Sequence, residues 1–254
     1  MSVANEAKKS RKLLYVSVLA YFVFLVAMFP INIAYQLVNP KGLPVQVVAV
    51  SGTLWDGEVV IKHSMTGQVR LNWQLSPLGL LLAQVNSQFE VKGAQLEGKG
   101  ELSVGLISGD LELSHVSAYI NAALINKPLR SQRVTMAGDV ELNDSTIVFN
   151  WKDKKTSLAQ GRLIWMGGDV SYPKGRKSKN ANLPMLVVDL SADKGELMAQ
   201  VNTEDGLAVA QANLKTDGWG SVAVQKRMVD LLGEPWSNKT SPDSTIFELS
   251  EKLF

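Results

Sequence analysis

The chain of 254 residues contains no cysteine, which removes disulfides, thiolate metal sites and a cysteine nucleophile at once. Histidine is nearly as scarce. His63 and His115 are the only two, and at least two expected strands separate them. His115 continues the odd-numbered alternation of Leu111 and Leu113, so it reads as a strand residue rather than a metal ligand or general base. Also missing are the Gly-x-Ser-x-Gly elbow, the phosphate-binding P-loop and the Gly-x-Gly-x-x-Gly fingerprint. The paired carboxylates Glu97/Glu101 and Asp110/Glu112 alternate with apolar residues, which puts each pair on the solvent face of a strand. No catalytic residue, metal site or cofactor is expected, and the chain reads as a protein that is not an enzyme.

A strong charge of one sign is absent too. The formal net charge is +2, but the first twelve residues carry four basic side chains and one acidic, leaving 22 basic and 23 acidic beyond them. A body this close to neutral lacks the electrostatic footprint of a nucleic-acid binder. Its one basic cluster, Lys174-Gly175-Arg176-Lys177-Ser178-Lys179, sits among turn residues and reads as a solvated loop.

Long hydrophobic runs are lacking everywhere except at one place. Leu13 to Phe29 is unbroken LLYVSVLAYFVFLVAMF, and apolar residues continue past Pro30 through Ile31, Ile33, Ala34, Tyr35, Leu37 and Val38. Roughly 20 such residues suffice to cross a bilayer of about 30 Å. Lys8, Lys9, Arg11 and Lys12 precede the run, and basic flanks stay on the cytoplasmic side. The alternative, a cleaved signal peptide, wants a shorter apolar core of about 7–15 residues and a small-x-small cleavage site. The best candidate, Asn32-Ile33-Ala34, has a first residue that is not small. The expected plan is a cytoplasmic N-terminus at 1–12, a single membrane-spanning helix at 13–35, a β-rich periplasmic domain at 36–236 and a polar, loosely held tail at 237–254.

Beyond residue 40 the dominant pattern is alternation, the signature of half-buried strands. Val85, Ser87, Phe89 and Val91 share one face, and Leu96, Gly98, Gly100, Leu102, Val104 and Leu106 repeat it on the next expected strand. Further sets run through Val134–Leu142, Ile147–Trp151, Leu163/Trp165, Leu186–Leu190 and Leu197–Val201. Turn chemistry at Asn143-Asp144-Ser145, Lys152-Asp153-Lys154, Ala192-Asp193-Lys194-Gly195 and Glu204-Asp205-Gly206 separates them. One or two short helices are expected: Ser117–Asn126 is a short helix or a bent strand, and a helix runs from Val224 through Met228, Leu231 and Leu232 to a stop at Gly233. Alternating positions often carry Gly, Ala or Ser, which permits strong twist. The predicted fold is therefore mainly β, an elongated, curved antiparallel meander following the anchor. A groove in such a sheet is filled by its own side chains, a partner or lipid.

Three tryptophan-glycine blocks stand out from this background. They are Gly52-Thr53-Leu54-Trp55-Asp56-Gly57, then Trp73-x-Leu75-x-Pro77 with the leucines that follow, then Gly161 to Gly168 with Trp165, Gly167 and Gly168. Each couples a glycine suited to a tight turn with an aromatic large enough to close a sheet end, so corner packing accounts for the residue types.

At these residues the chain resembles the general secretion pathway protein N family, the N component of the bacterial type II secretion system. The first two blocks are the specific ones, and the short basic N-terminus, single span and β-rich body agree with the family plan. Related AsmA-like envelope proteins carry similar hexapeptides but are usually much longer. The resemblance implies a non-catalytic inner-membrane component of the machinery that exports folded periplasmic proteins, with other secretion components as partners. The AsmA-like flavour implies a second reading, a module that binds lipid or another hydrophobic ligand.

Overall fold

Alternation of apolar and polar side chains demands an extended backbone, because only a two-residue period puts every apolar group on one side. A computed structural model describes residues 45–252 together with Ser17, Val18, Tyr21, Met28, Pro30, Ile31 and Ile33. The expected cytoplasmic segment lies outside the described residues, and so does most of the expected span. Among the described residues no helix is long and apolar enough to cross a membrane.

The strands are β1 (Gln46–Gly52), β2 (Asp56–His63), β3 (Gly67–Ser76), β4 (Gln84–Gly93), β5 (Leu96–Gly105), β6 (Asp110–Ile120), β7 (Thr135–Met136) and β8 (Val140–Asn150). They continue as β9 (Lys155–Trp165), β10 (Gly168–Lys174), β11 (Lys177–Leu183), β12 (Leu186–Asp193), β13 (Glu196–Thr203), β14 (Ala208–Leu214), β15 (Trp219–Gln225) and β16 (Thr245–Lys252). Thirteen of them form one open sheet in the order β1-β2-β3-β4-β5-β6-β8-β9-β12-β13-β14-β15-β16, and β11-β10-β7 form a small second sheet. Helix α1 is Ala122–Leu129 and α2 is Lys226–Leu231.

The register shows what the alternation achieves. Directly paired residues share a face, and one row crosses the large sheet from edge to edge. It runs Val50, Val59, Leu71, Val91, Gly98, Ala118, Leu142, Leu163, Val188, Val201, Ala210, Val224 and Phe247. Every member is apolar. One residue along, on the opposite face, the row is Ser51, Glu58, Asn72, Glu90, Lys99 and Ser117. The sheet therefore has an apolar side and a wet side along its length.

The apolar side curls into a trough. Strands β8 and β14 are separated by three others, yet Ile147 and Phe149 line one cleft with Leu197 and Leu214. Strands about 4.8 Å apart would hold those residues far from each other in a flat sheet.

Several local expectations are corrected. The alternation at Val134–Leu142 is not one strand: Gly138, at φ +76°, breaks it, so Met136 joins the small sheet and Val140 the large one. Asn143-Asp144-Ser145 is not a turn but a bulge within β8, with Asp144 at φ +40°. His115, at φ +52°, lies in a matching bulge of β6, so it leaves the alternation of Leu111 and Leu113 and its ring meets Asp144 at 3.0 Å. Val116 and Ile120 belong to β6, and α1 starts only after Asn121, whose side chain accepts from the Ala123 amide at 2.9 Å. Val224 is likewise a strand residue, and α2 stops at Gly233, φ +65°, as expected. Lys177 and Lys179 are not loop residues but part of β11; only Gly175 and Arg176 turn. The tail is not loose at 245–252, where it forms β16 against β15.

Candidate functional site

All sheet turns fall at one of two ends, and the motif residues divide between them. At the first end the chain fills the trough itself. Trp165 is buried at the last position of β9, flanked by Val140 and Leu186 in register, and Leu183 and Val209 complete a buried cluster. Ile125 of α1, Met228 and Leu231 of α2, Leu232, and Met136 and Val170 of the small sheet cover that cluster. The Trp165 indole donates to the Ala137 carbonyl at 2.8 Å, satisfying its one polar atom. Gly167, at φ +76°, has no room for a side chain, since a Cβ would sit 2.7 Å from Pro184 and 2.8 Å from the Leu183 oxygen. Gly168, at φ +128°, opens β10. The third block thus forms the closed end.

Polar groups fix the covering elements in place. Asn126 of α1 makes two 2.8 Å hydrogen bonds with the backbone of Met136. Asp139 accepts from the Tyr119 hydroxyl and, at 2.9 Å, from the Ala122 amide at the start of α1; these two donors hold its carboxyl below the usual range. Behind α2, Glu234 meets Lys174 at 2.5 Å and Lys179 at 2.9 Å and accepts from the Tyr172 hydroxyl at 2.7 Å. Lys174, Lys179 and Tyr172 pull its pKa down to about 2, while burial and then Glu234 push Tyr172 up to about 12. The basic cluster read as a loop therefore clamps the segment following α2. Arg227 does the same for the polar stretch beyond it, donating to Ala208 at 2.5 Å and to Asp243 at 2.6 Å.

At the second end the first two blocks come together. Gly52 and Gly57 pair across a tight turn in which the Thr53 amide donates to the Asp56 carbonyl at 2.8 Å. The Thr53 hydroxyl oxygen accepts from the Asp56 amide at 3.1 Å and from the Trp55 amide at 3.3 Å. Trp73, opposite Gly57 in register, lays its ring where a Gly57 side chain would go and donates to the Leu54 carbonyl at 3.0 Å. The Leu75 amide donates to Trp55 at 2.6 Å. Pro77 then starts a short 3₁₀ helix, Pro77–Leu82, that ends at Ala83 with φ +54°. The blocks interlock as one corner.

Beside this corner the trough stays bare. Leu54, Leu78, Leu80, Leu81, Leu82, Leu106 and Ile107 are exposed at that end. The leucine run after Pro77 is visible in the sequence, whereas Leu106, expected as the last residue of a strand, lies in the turn after β5, and Ile107 beside it was missed. Their signal was an uncharged apolar pair in a turn, where polar residues are the rule.

Among the described residues no three His, Asp or Glu side chains gather closely enough to hold a metal ion. The geometry defines a class: a β-rich body built on one curved antiparallel sheet, closed at one end and open at the other. The family model for type II secretion system (T2SS), protein N, matches residues 44–235, and the chain belongs to that family. It is a type II secretion system component. The matched stretch contains all three blocks and both helices, while β16 lies beyond it. No curated protein and no solved structure matches the chain.

Proposed function

We propose that the protein is a non-catalytic inner-membrane component of the type II secretion system, with a cytoplasmic N-terminus and a periplasmic β body that supports export of folded proteins across the outer membrane. The observation that carries this reading is the family match over 44–235, which follows the apolar run Leu13–Phe29 and its basic flank in the chain. Val18, Tyr21 and Met28 within the run are exposed by 58–64%, consistent with side chains meant for lipid rather than for the body's own core. The test is affinity purification of the full chain from detergent-extracted envelopes. Other secretion components co-purify if the reading is right, and their absence in every detergent tried contradicts it.

A second reading is favoured by the unbroken apolar row and by the cleft between Ile147, Phe149, Leu197 and Leu214. In it, the trough holds a lipid or another hydrophobic ligand. Native mass spectrometry of the extracted protein decides: a retained lipid supports this role, and bare protein with partners still attached removes it.

A further inference from the structure

The open end exposes apolar side chains much further than the closed end, where Met65, Met166, Leu207 and Trp236 are exposed by only 38–49%. The 3₁₀ elbow exposes Leu78 by 73%, Leu81 by 83% and Leu82 by 76%, and the β5–β6 turn exposes Ile107 by 76%. Neither Pro77–Ala83 nor Gly105–Ser108 contains a charged residue. Backbone hydrogen bonds tie these segments into one rim: Leu106 donates to Ala83 at 2.9 Å and Trp151 to Gly109 at 3.0 Å, while the Lys152 ammonium reaches Ile107. Side chains this exposed and this apolar on a continuous rim mark an interaction surface.

What covers the rim follows from where the chain enters the fold. Pro30, the residue directly after the apolar run, pairs with Thr53, which adjoins Leu54 in the same corner. The chain is therefore joined at Pro30 to the open end of the body. Trp151 and Trp219, exposed by 39% and 43%, stand in or beside turns of that end, and tryptophan is enriched at the level of lipid headgroups. The basic hairpin tip at Gly175–Arg176 belongs to the small sheet at the closed end.

We infer that the elbow leucines and Ile107 sit in the bilayer that the N-terminal run enters, so that the body stands on the membrane with the mouth of its trough against lipid. The occupant is the headgroup–acyl boundary, where apolar side chains insert by about 5–10 Å. This inference rests on the reading of Leu13–Phe29 as a membrane anchor, and its test reports on the two separately.

Because the chain has no cysteine, single cysteines label without background. Full-length protein carrying Tyr21→Cys, Leu81→Cys, Ile107→Cys or Ser178→Cys is labelled with an environment-sensitive fluorophore. It is then reconstituted into phosphatidylethanolamine–phosphatidylglycerol vesicles with brominated acyl chains. Labels at 81 and 107 are expected to be blue-shifted and quenched several-fold more than at 178, chiefly by bromine near the headgroups; at 21 quenching comes from deep bromine. Quenching at 21 but not at 81 or 107 overturns the inference and leaves the anchor standing. No quenching at 21 with quenching at 81 and 107 overturns the anchor and leaves the rim. Labels at 81 and 107 shielded from iodide but not quenched by bromine mean a protein covers the rim, which also overturns the inference.

Discussion

The two ends of the large sheet are built from the same alternating strands, and they differ in what the chain does with the exposed edge of the trough. At the closed end it uses two helices, a small sheet and the clamp on Glu234 to bury Trp165 and its neighbours. At the open end four successive turns carry leucine, isoleucine or tryptophan, exposed from 38% at Leu54 to 83% at Leu81. The contrast assigns stability to one end and contact to the other.

That assignment is sharpest where substitutions of similar chemistry should behave differently. Trp165→Ala removes a buried indole and its hydrogen bond, and about 3–5 kcal/mol of unfolding free energy should go with it in denaturant titration. Leu81→Ser at the exposed elbow should stay within about 0.5 kcal/mol of the parent. Comparable losses at both positions would break the comparison. Gly57→Ala comes next: its new methyl meets the Trp73 ring and, at 2.8 Å, the Thr53 oxygen, so about 1–3 kcal/mol of overpacking is expected in the same titration.

Smaller effects should appear as pH dependence. Glu234 is held at about 2 in the fold against 4.5 for a free carboxylate, so its clamp contributes fully above pH 4.5 and fades as pH falls toward 2. Glu234→Gln should flatten that acid limb in melting curves taken from pH 6 to 2. His115 has the opposite sign. Its hydrogen bond to Asp144, and then that carboxylate's charge, raise its pKa above 6.5, so the contribution is present below that value and is lost as pH rises through the folded-state value. Both partners are largely exposed, so His115→Gln should leave little more than a slight loss of this dependence, readable by NMR titration of the parent ring.

The strand alternation was legible because most strands of the long sheet repeat apolar groups at period two. Strands β10 and β11 escaped because their sequence, GDVSYPK and KSKNANL, carries few apolar residues and satisfies its backbone in a small outer sheet. Strand β16 escaped for a related reason: Phe247 and Leu249 sit on an edge and remain more than half exposed. The bulges at His115 and Asp144 leave no apolar signature, since each adds one polar residue with positive φ. At the candidate site, the types of residue in the first two blocks announced a turn and an aromatic plug. Their meeting could not be read, because it depends on the Gly57–Trp73 register between β2 and β3.

The proposed role, a membrane-anchored part of the type II secretion system, is tested most directly by the amount of secreted enzyme reaching the medium from cells lacking the protein. Export is predicted to fall under at least some growth conditions and to recover when the intact chain is restored. Unchanged export in every condition, with no secretion component co-purifying with the chain, would contradict it.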